Sequence, residues 1–129
     1  MVDHDGAYHS LFSNPELVED LLRSFVPESW IADLNFQAME RVNTKFHTDD
    51  FVRREGDMIY RIPYRHAQGE VYLLLLLEFQ SQIEPWMVVR LLVYIGLLYQ
   101  QLIKEYNLKS GDKLPPVFPL VLYNGDSRW

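Results

Sequence analysis

The stretch Val71-Tyr72-Leu73-Leu74-Leu75-Leu76-Leu77-Glu78-Phe79-Gln80-Ser81-Gln82 decides how this chain folds. Its first seven residues are apolar, and it then turns polar at Glu78, Gln80 and Ser81. Side chains alternate along a strand, so a run that is apolar at every position has two greasy faces. Such a strand belongs in the middle of a sheet covered on both sides. The same alternation aims Glu78 and Gln80 to one side, where the strand leaves the core.

Before this strand, Asp57-Met58-Ile59-Tyr60-Arg61-Ile62-Pro63-Tyr64 has the β-branched and aromatic content of a second strand. His66-Ala67-Gln68-Gly69 reads as the turn between them, with Gly69 free to take a positive φ. With that loop Arg65 faces Glu70. Counting back along both strands then sets Asp57 opposite Glu78, at about 5 Å between Cβ atoms. Two carboxylates side by side on a buried sheet repel unless something positive lies between them. A divalent cation such as Mg²⁺, which takes carboxylate, water and phosphate oxygens, fits that need. Gln80 would then orient a water or lend a carbonyl oxygen. The plainer alternative is that Asp57 and Glu78 mark where two buried strands reach solvent, and spacing alone leaves this open.

After the polar exit, Pro85 to Tyr106 reads as a helix about 33 Å long. Leu91, Ile95, Leu98 and Leu102 form its core stripe, and Arg90 and Tyr94, four apart, share a face. Arg90 either reaches a phosphate or pairs with a buried carboxylate. Lys109 to Pro116 is a loop, and Val117 to Tyr123 is a last strand closed by Asn124-Gly125. Because a crossover helix precedes it, that strand is expected to run parallel to Val71–Glu78. Nearer the start, Ser13-Asn14-Pro15-Glu16 opens a helix carrying Leu17, Leu21, Leu22 and Phe25, and Pro27 ends it. A helical turn over Glu28 to Asp33 and an edge strand around Ala38 to Val42 follow. The expected architecture is a layered α/β domain with a mixed sheet flanked by helices.

The 129 residues suit a single domain, 1–129. An end six residues past a core strand suggests the N-terminal part of a longer protein. The longest apolar run is too short to cross a bilayer, and Arg90 and Gln100 interrupt Pro85–Leu102, which is read as a core helix and not a membrane span. No cysteine and no secretory leader pattern are present, which fits a cytoplasmic protein. A net charge of −6 argues against a broadly basic nucleic-acid surface, although sites that hold divalent metals are acidic themselves. Locally, Arg53, Arg54, Arg61 and Arg65 with Tyr60, Tyr64 and Tyr72 give a basic and aromatic strip that would suit DNA. Solvated strand edges favour arginine too. His4, Asp5 and His9 match no strong ligand spacing, and His47, Asp49 and Asp50 read as a polar loop. Strand edges and the helix face around Leu97 and Leu98 offer a route to a homo-oligomer.

Several blocks, taken jointly and in order, resemble one family. They are Leu11-Phe12-Ser13-Asn14-Pro15-Glu16, Arg54-Glu55-Gly56-Asp57-Met58-Ile59-Tyr60-Arg61-Ile62 and Val71 to Ser81. Met87 with Arg90 and Tyr94, and Pro116-Val117-Phe118-Pro119-Leu120-Val121-Leu122-Tyr123-Asn124-Gly125, complete the set. Together they resemble the recombination-promoting nuclease family, also described as putative transposases. The resemblance covers nearly the whole chain. It implies a restriction-endonuclease-like fold of the PD-(D/E)XK superfamily and a metal-dependent DNA endonuclease linked to recombination or mobile elements. By the same resemblance Asp57 and Glu78 would bind Mg²⁺, with Gln80 as the third catalytic residue. Arg54, Arg90 and Tyr94 would contact DNA or support the site, and an acid of the first helix, Glu16 or Glu19, would stand near the metal. Gln80 sits where the superfamily has lysine, and a neutral amide cannot donate a proton or offset phosphate charge as an ammonium does. The alternative implied is an inactive nuclease-like domain that binds DNA or a protein partner.

Overall fold

The computed structural model describes residues 14–44, 57–78 and 85–123, with the side chains of Leu77 and Glu78 outside that description. Helix α1 spans Pro15–Phe25, followed by short 3₁₀ turns at Ser29–Asp33 and Phe36–Ala38. The strands are β1 (Glu40–Arg41), β2 (Asp57–Pro63), β3 (Glu70–Glu78) and β4 (Val117–Tyr123), and helix α2 (Met87–Glu105) joins β3 to β4. The sheet runs β1-β2-β3-β4, with antiparallel β1–β2 and β2–β3 pairs and a parallel β3–β4 pair. The result is an α/β fold with a mixed sheet, as the order of patterns predicts. The edge strand is shorter than expected, because Phe36–Ala38 is wound into a 3₁₀ turn.

Local rules explain the helix ends. Asn14 caps α1 by accepting the Glu16 N–H at 2.9 Å, Pro15 takes the first helical position, and Glu16 lies in the first turn. At the other end of α2, Asn107 adopts a positive φ of 51°. The Leu108 N–H reaches back to the Ile103 carbonyl at 3.0 Å and the Asn107 N–H to Lys104 at 3.3 Å, a Schellman closure.

The two faces of the sheet carry separate cores. Met58, Tyr60 and Ile62 of β2, with Val71, Leu73 and Leu75 of β3, pack against Val18 and Leu22 of α1 and against Ile31, Leu34 and Phe36. On the opposite face Ile59, Tyr72, Leu74 and Leu76 pack against Met87, Tyr94, Leu98 and Leu102 of α2. Leu73 to Leu76 are each at most 1% exposed, so this strand is covered on both sides. Each such side chain contributes about 1.5–3 kcal/mol of burial.

The hairpin register differs from the count made on sequence. Asp57 pairs with Leu76 and Pro63 with Glu70, so the pairing is offset by two residues and Asp57 is not opposite Glu78. The cause lies at the hairpin tip. Leu34 bridges Tyr64, and Arg65 donates its N–H to the Asp33 carbonyl at 2.7 Å, which takes Arg65 out of the pairing with β3. The loop closes instead through the Tyr64 N–H on the Gly69 carbonyl at 3.1 Å, with Gly69 at φ 103°. An offset of two preserves the pleat, so the register position of Glu78 is diagonal to Asp57 on the β2–β3 ladder.

Helix α2 is long and apolar enough to cross a membrane by length and composition, but one face of it packs on the sheet. It is not the fully buried core helix that its composition suggests. Trp86, Val88, Val89, Leu92, Val93 and Ile103 are exposed. Leu98 is fully buried in its own core, so the apolar surface lies around Val89, Leu92 and Val93 and not around Leu97 and Leu98.

Candidate functional site

Asp57 opens β2 on the α2 side of the sheet, and its side chain is 0% exposed. Arg90, the fourth residue of α2, points back at it. Its guanidinium donates to Asp57 Oδ2 at 2.5 Å, and the Arg90 side chain is 12% exposed. Burying a carboxylate without a partner costs several kcal/mol, so this ion pair is what makes an aspartate tolerable there. Tyr94, one turn further along α2, is fully buried beneath Arg90. The i, i+4 spacing thus builds a small wall: Tyr94 in the core, Arg90 at its rim, Asp57 across from it.

Of the residues singled out in the sequence, the structure brings Asp57, Arg90 and Tyr94 to one end of the β2–β3–α2 layer. Glu78 is in register at the last position of β3, diagonal to Asp57 and beside Tyr123 of β4. A diagonal pair stands about 7–8 Å apart, which leaves more room for a cation than direct opposition would. The side chain of Glu78, and Gln80 and Arg54 altogether, lie outside the described residues, as do Arg53, His4, Asp5, His9, His47, Asp49 and Asp50. Among the described residues no group of three or more His, Asp or Glu side chains converges. The hard carboxylate of Asp57 suits a hard cation, and a cationic group already lies against it.

Other expectations shift. Tyr60 and Tyr72 are 2% and 1% exposed, so they belong to the cores and not to a surface strip. Arg61 is held between Glu40 at 2.8 Å and Glu70 at 2.5 Å, and Arg65 donates to the Leu34 carbonyl at 3.2 Å. Glu40 first, then Glu70, keeps the Arg61 guanidinium charged well above its ordinary range. Glu19 pairs with Arg23 at 2.8 Å, and Glu16 supplies the capped N–H of α1. That helix packs on the sheet face opposite to Asp57.

A second polar cluster escaped the sequence reading. Glu70 Oε1 accepts the Tyr106 hydroxyl at 2.9 Å and the Tyr72 hydroxyl at 3.3 Å, while Oε2 takes Arg61. The two hydroxyls also lie within hydrogen-bonding distance of each other, so two protons serve three contacts and one is shared. Burial, then the Tyr106 hydroxyl, pushes the Tyr72 phenol far above its usual range, and burial raises Tyr106 as well. Glu70 and Tyr72, two apart on the α2 face of β3, were the available signal. A cleft of about 330 Å³, lined in part by Tyr64, Glu70, Tyr106, Lys113 and Pro115, opens beside them.

The model of a family described as putative transposase, YhgA-like, matches residues 2–129. The chain is 26% identical over 124 residues to the inactive recombination-promoting nuclease-like protein RpnE of Escherichia coli strain K12, covering 96% of this chain and 40% of that protein. It is 21% identical over 122 residues to the recombination-promoting nuclease RpnD of Escherichia coli O157:H7, covering 95% of this chain and 45% of that one. The chain thus spans less than half the length of these relatives. No solved structure matches.

Proposed function

The chain belongs to the YhgA-like putative transposase family, and from that premise we propose that it carries the metal-binding core of a DNA endonuclease that hydrolyses phosphodiesters. The observation that supports this most is Asp57. It is a fully buried carboxylate, held by a cation and diagonal in register to a second acid at the end of β3. Asp57 and Glu78 would hold Mg²⁺, in an architecture of the restriction-endonuclease-like kind. When bound, the metal supplies Lewis acidity toward a phosphodiester and lowers the pKa of a water. Asp57 provides a preorganised anionic oxygen, the Gln80 amide orients water, and Tyr94 packs the floor under Arg90. DNA would approach from the polar end of β3, where Arg54 is a candidate phosphate contact, and the setting would be cytoplasmic.

The relative named inactive favours a second reading, a nuclease-like domain that binds DNA or a protein without cutting. Gln80 in place of a superfamily lysine points the same way. Calorimetric titration with Mg²⁺ or Mn²⁺ of the wild type, Asp57→Ala and Glu78→Ala separates the two, together with a plasmid-nicking assay. Binding lost in both variants, with nicking lost alongside, is the expected result. A folded wild type that takes no metal even with a short duplex present leaves the binding domain.

A further inference from the structure

We propose that Arg90 is a resident counter-ion that occupies the cation position of Asp57 until a divalent metal displaces it. The inference rests on the metal reading above and adds how that site is kept when empty. A buried carboxylate demands a positive partner at all times, and the Arg90 guanidinium meets that demand at 2.5 Å. Metal and guanidinium would be two cations against one carboxylate, of which Arg90 already holds Oδ2.

Two features make Arg90 suited to leaving. Its side chain is 12% exposed, so a swing of the flexible stem carries the guanidinium toward solvent. It also stands in the first turn of α2, where the helix dipole disfavours a cation, and that turn has no acidic residue and no side-chain cap from Trp86. A cation placed against the dipole is a local conflict, and such conflicts concentrate where function has overridden stability. Exchange for a metal lets the side chain swing outward and frees the guanidinium to meet an anionic phosphate.

Mn²⁺ calorimetry on the wild type, Arg90→Gln, Arg90→Lys and Asp57→Asn, each checked for folding by circular dichroism, tests the competition. Arg90→Gln is expected to bind Mn²⁺ roughly tenfold more tightly, within the usual range of coupling between sites. Arg90→Lys falls between it and the wild type, and Asp57→Asn does not bind. A purely structural arginine would weaken binding when removed. Equal or weaker binding in folded Arg90→Gln therefore overturns the counter-ion role and leaves the metal site standing. If neither the wild type nor either Arg90 variant binds, the metal reading itself falls. Should Arg90→Gln not fold, Arg90→Lys carries the test: tighter Mn²⁺ binding than the wild type is the expected result, and equal or weaker binding in folded Arg90→Lys overturns the counter-ion role.

Discussion

The two faces of the same sheet are built on different terms. Toward α1, β2 and β3 present Met58, Tyr60, Ile62, Val71, Leu73 and Leu75, and the cover is apolar throughout. Toward α2, the alternate residues of the same strands are apolar only in the middle. Asp57 with Arg90 stands at one end of the layer, and Glu70 with Arg61, Tyr72 and Tyr106 at the other. One residue of offset along a strand thus separates a surface that only holds the fold from one that also carries ionisable chemistry. The first face can be closed and dry because nothing on it must reach solvent. The second stays half-open, with α2 exposing Val89, Leu92 and Val93 on its far side.

The contrast is sharpest in what each face should lose. Phe36→Ala, on the α1 side and 0% exposed, should cost about 3–5 kcal/mol in urea melts with an unchanged m-value. A loss under 1 kcal/mol would break the idea that this face is the tightly packed one. On the α2 side Arg90→Gln should cost about 2–3 kcal/mol in chelator, because Asp57 then stays buried beside a neutral amide. Adding Asp57→Asn to that variant should recover most of the loss. A double variant as unstable as the single one would mean that packing, not charge, sets the cost.

At the other end of the same face, Tyr72→Phe should cost about 1 kcal/mol at neutral pH. Its larger signature is in alkali. Tyr72 and Tyr106 have phenols raised above the ordinary value of 10.0, so they stay protonated in the fold while those of the unfolded chain ionise. Stability is whole below pH 10 and falls as pH rises beyond it. Denaturant melts between pH 10 and 12 should show a shallower fall for Tyr72→Phe. The smallest effect belongs to Asp33, lowered from 3.8 chiefly by its hydrogen bond with His66. Its contribution is present above 3.8 and disappears as pH falls below. Asp33→Asn should flatten that acid limb slightly, and a steeper limb would show that the hairpin-tip contact does not stabilise.

Much of this architecture is legible in local patterns. Asn14-Pro15-Glu16 writes the start of α1, and the unbroken apolar run of β3 writes a central strand. The helix before β4 writes a parallel pair. Register was not legible, because it is set by Asp33 and Leu34, some thirty residues upstream in the chain, pairing with Tyr64 and Arg65. A local turn rule has no access to that contact. The facing of Asp57 and the Glu78 position survives the correction because the offset is two and not one. Spacing put Arg90 and Tyr94 on one helix face but could not say which acid Arg90 meets. The Glu70 cluster was missed because Tyr106 and Glu70 lie on different elements. The apolar composition of α2 was read as burial, whereas the described sheet covers only one side of it.

Strand β3 owes its protection to neighbours that arrive at very different moments of synthesis. Its partner β2 precedes it, but Val121 of β4, which pairs with Leu76, follows roughly 45 residues later. At ribosomal speed that gap lasts about 2–9 s. Throughout it the leucine-rich strand has one satisfied edge and one open edge, and in its first part no α2 yet exists to cover the second face. Such a segment, rich in apolar residues and carrying no proline, is a template for pairing with other chains. Yield in cells should therefore depend on translation rate and chaperone supply across Pro85 to Tyr123 more than on the final stability of the fold.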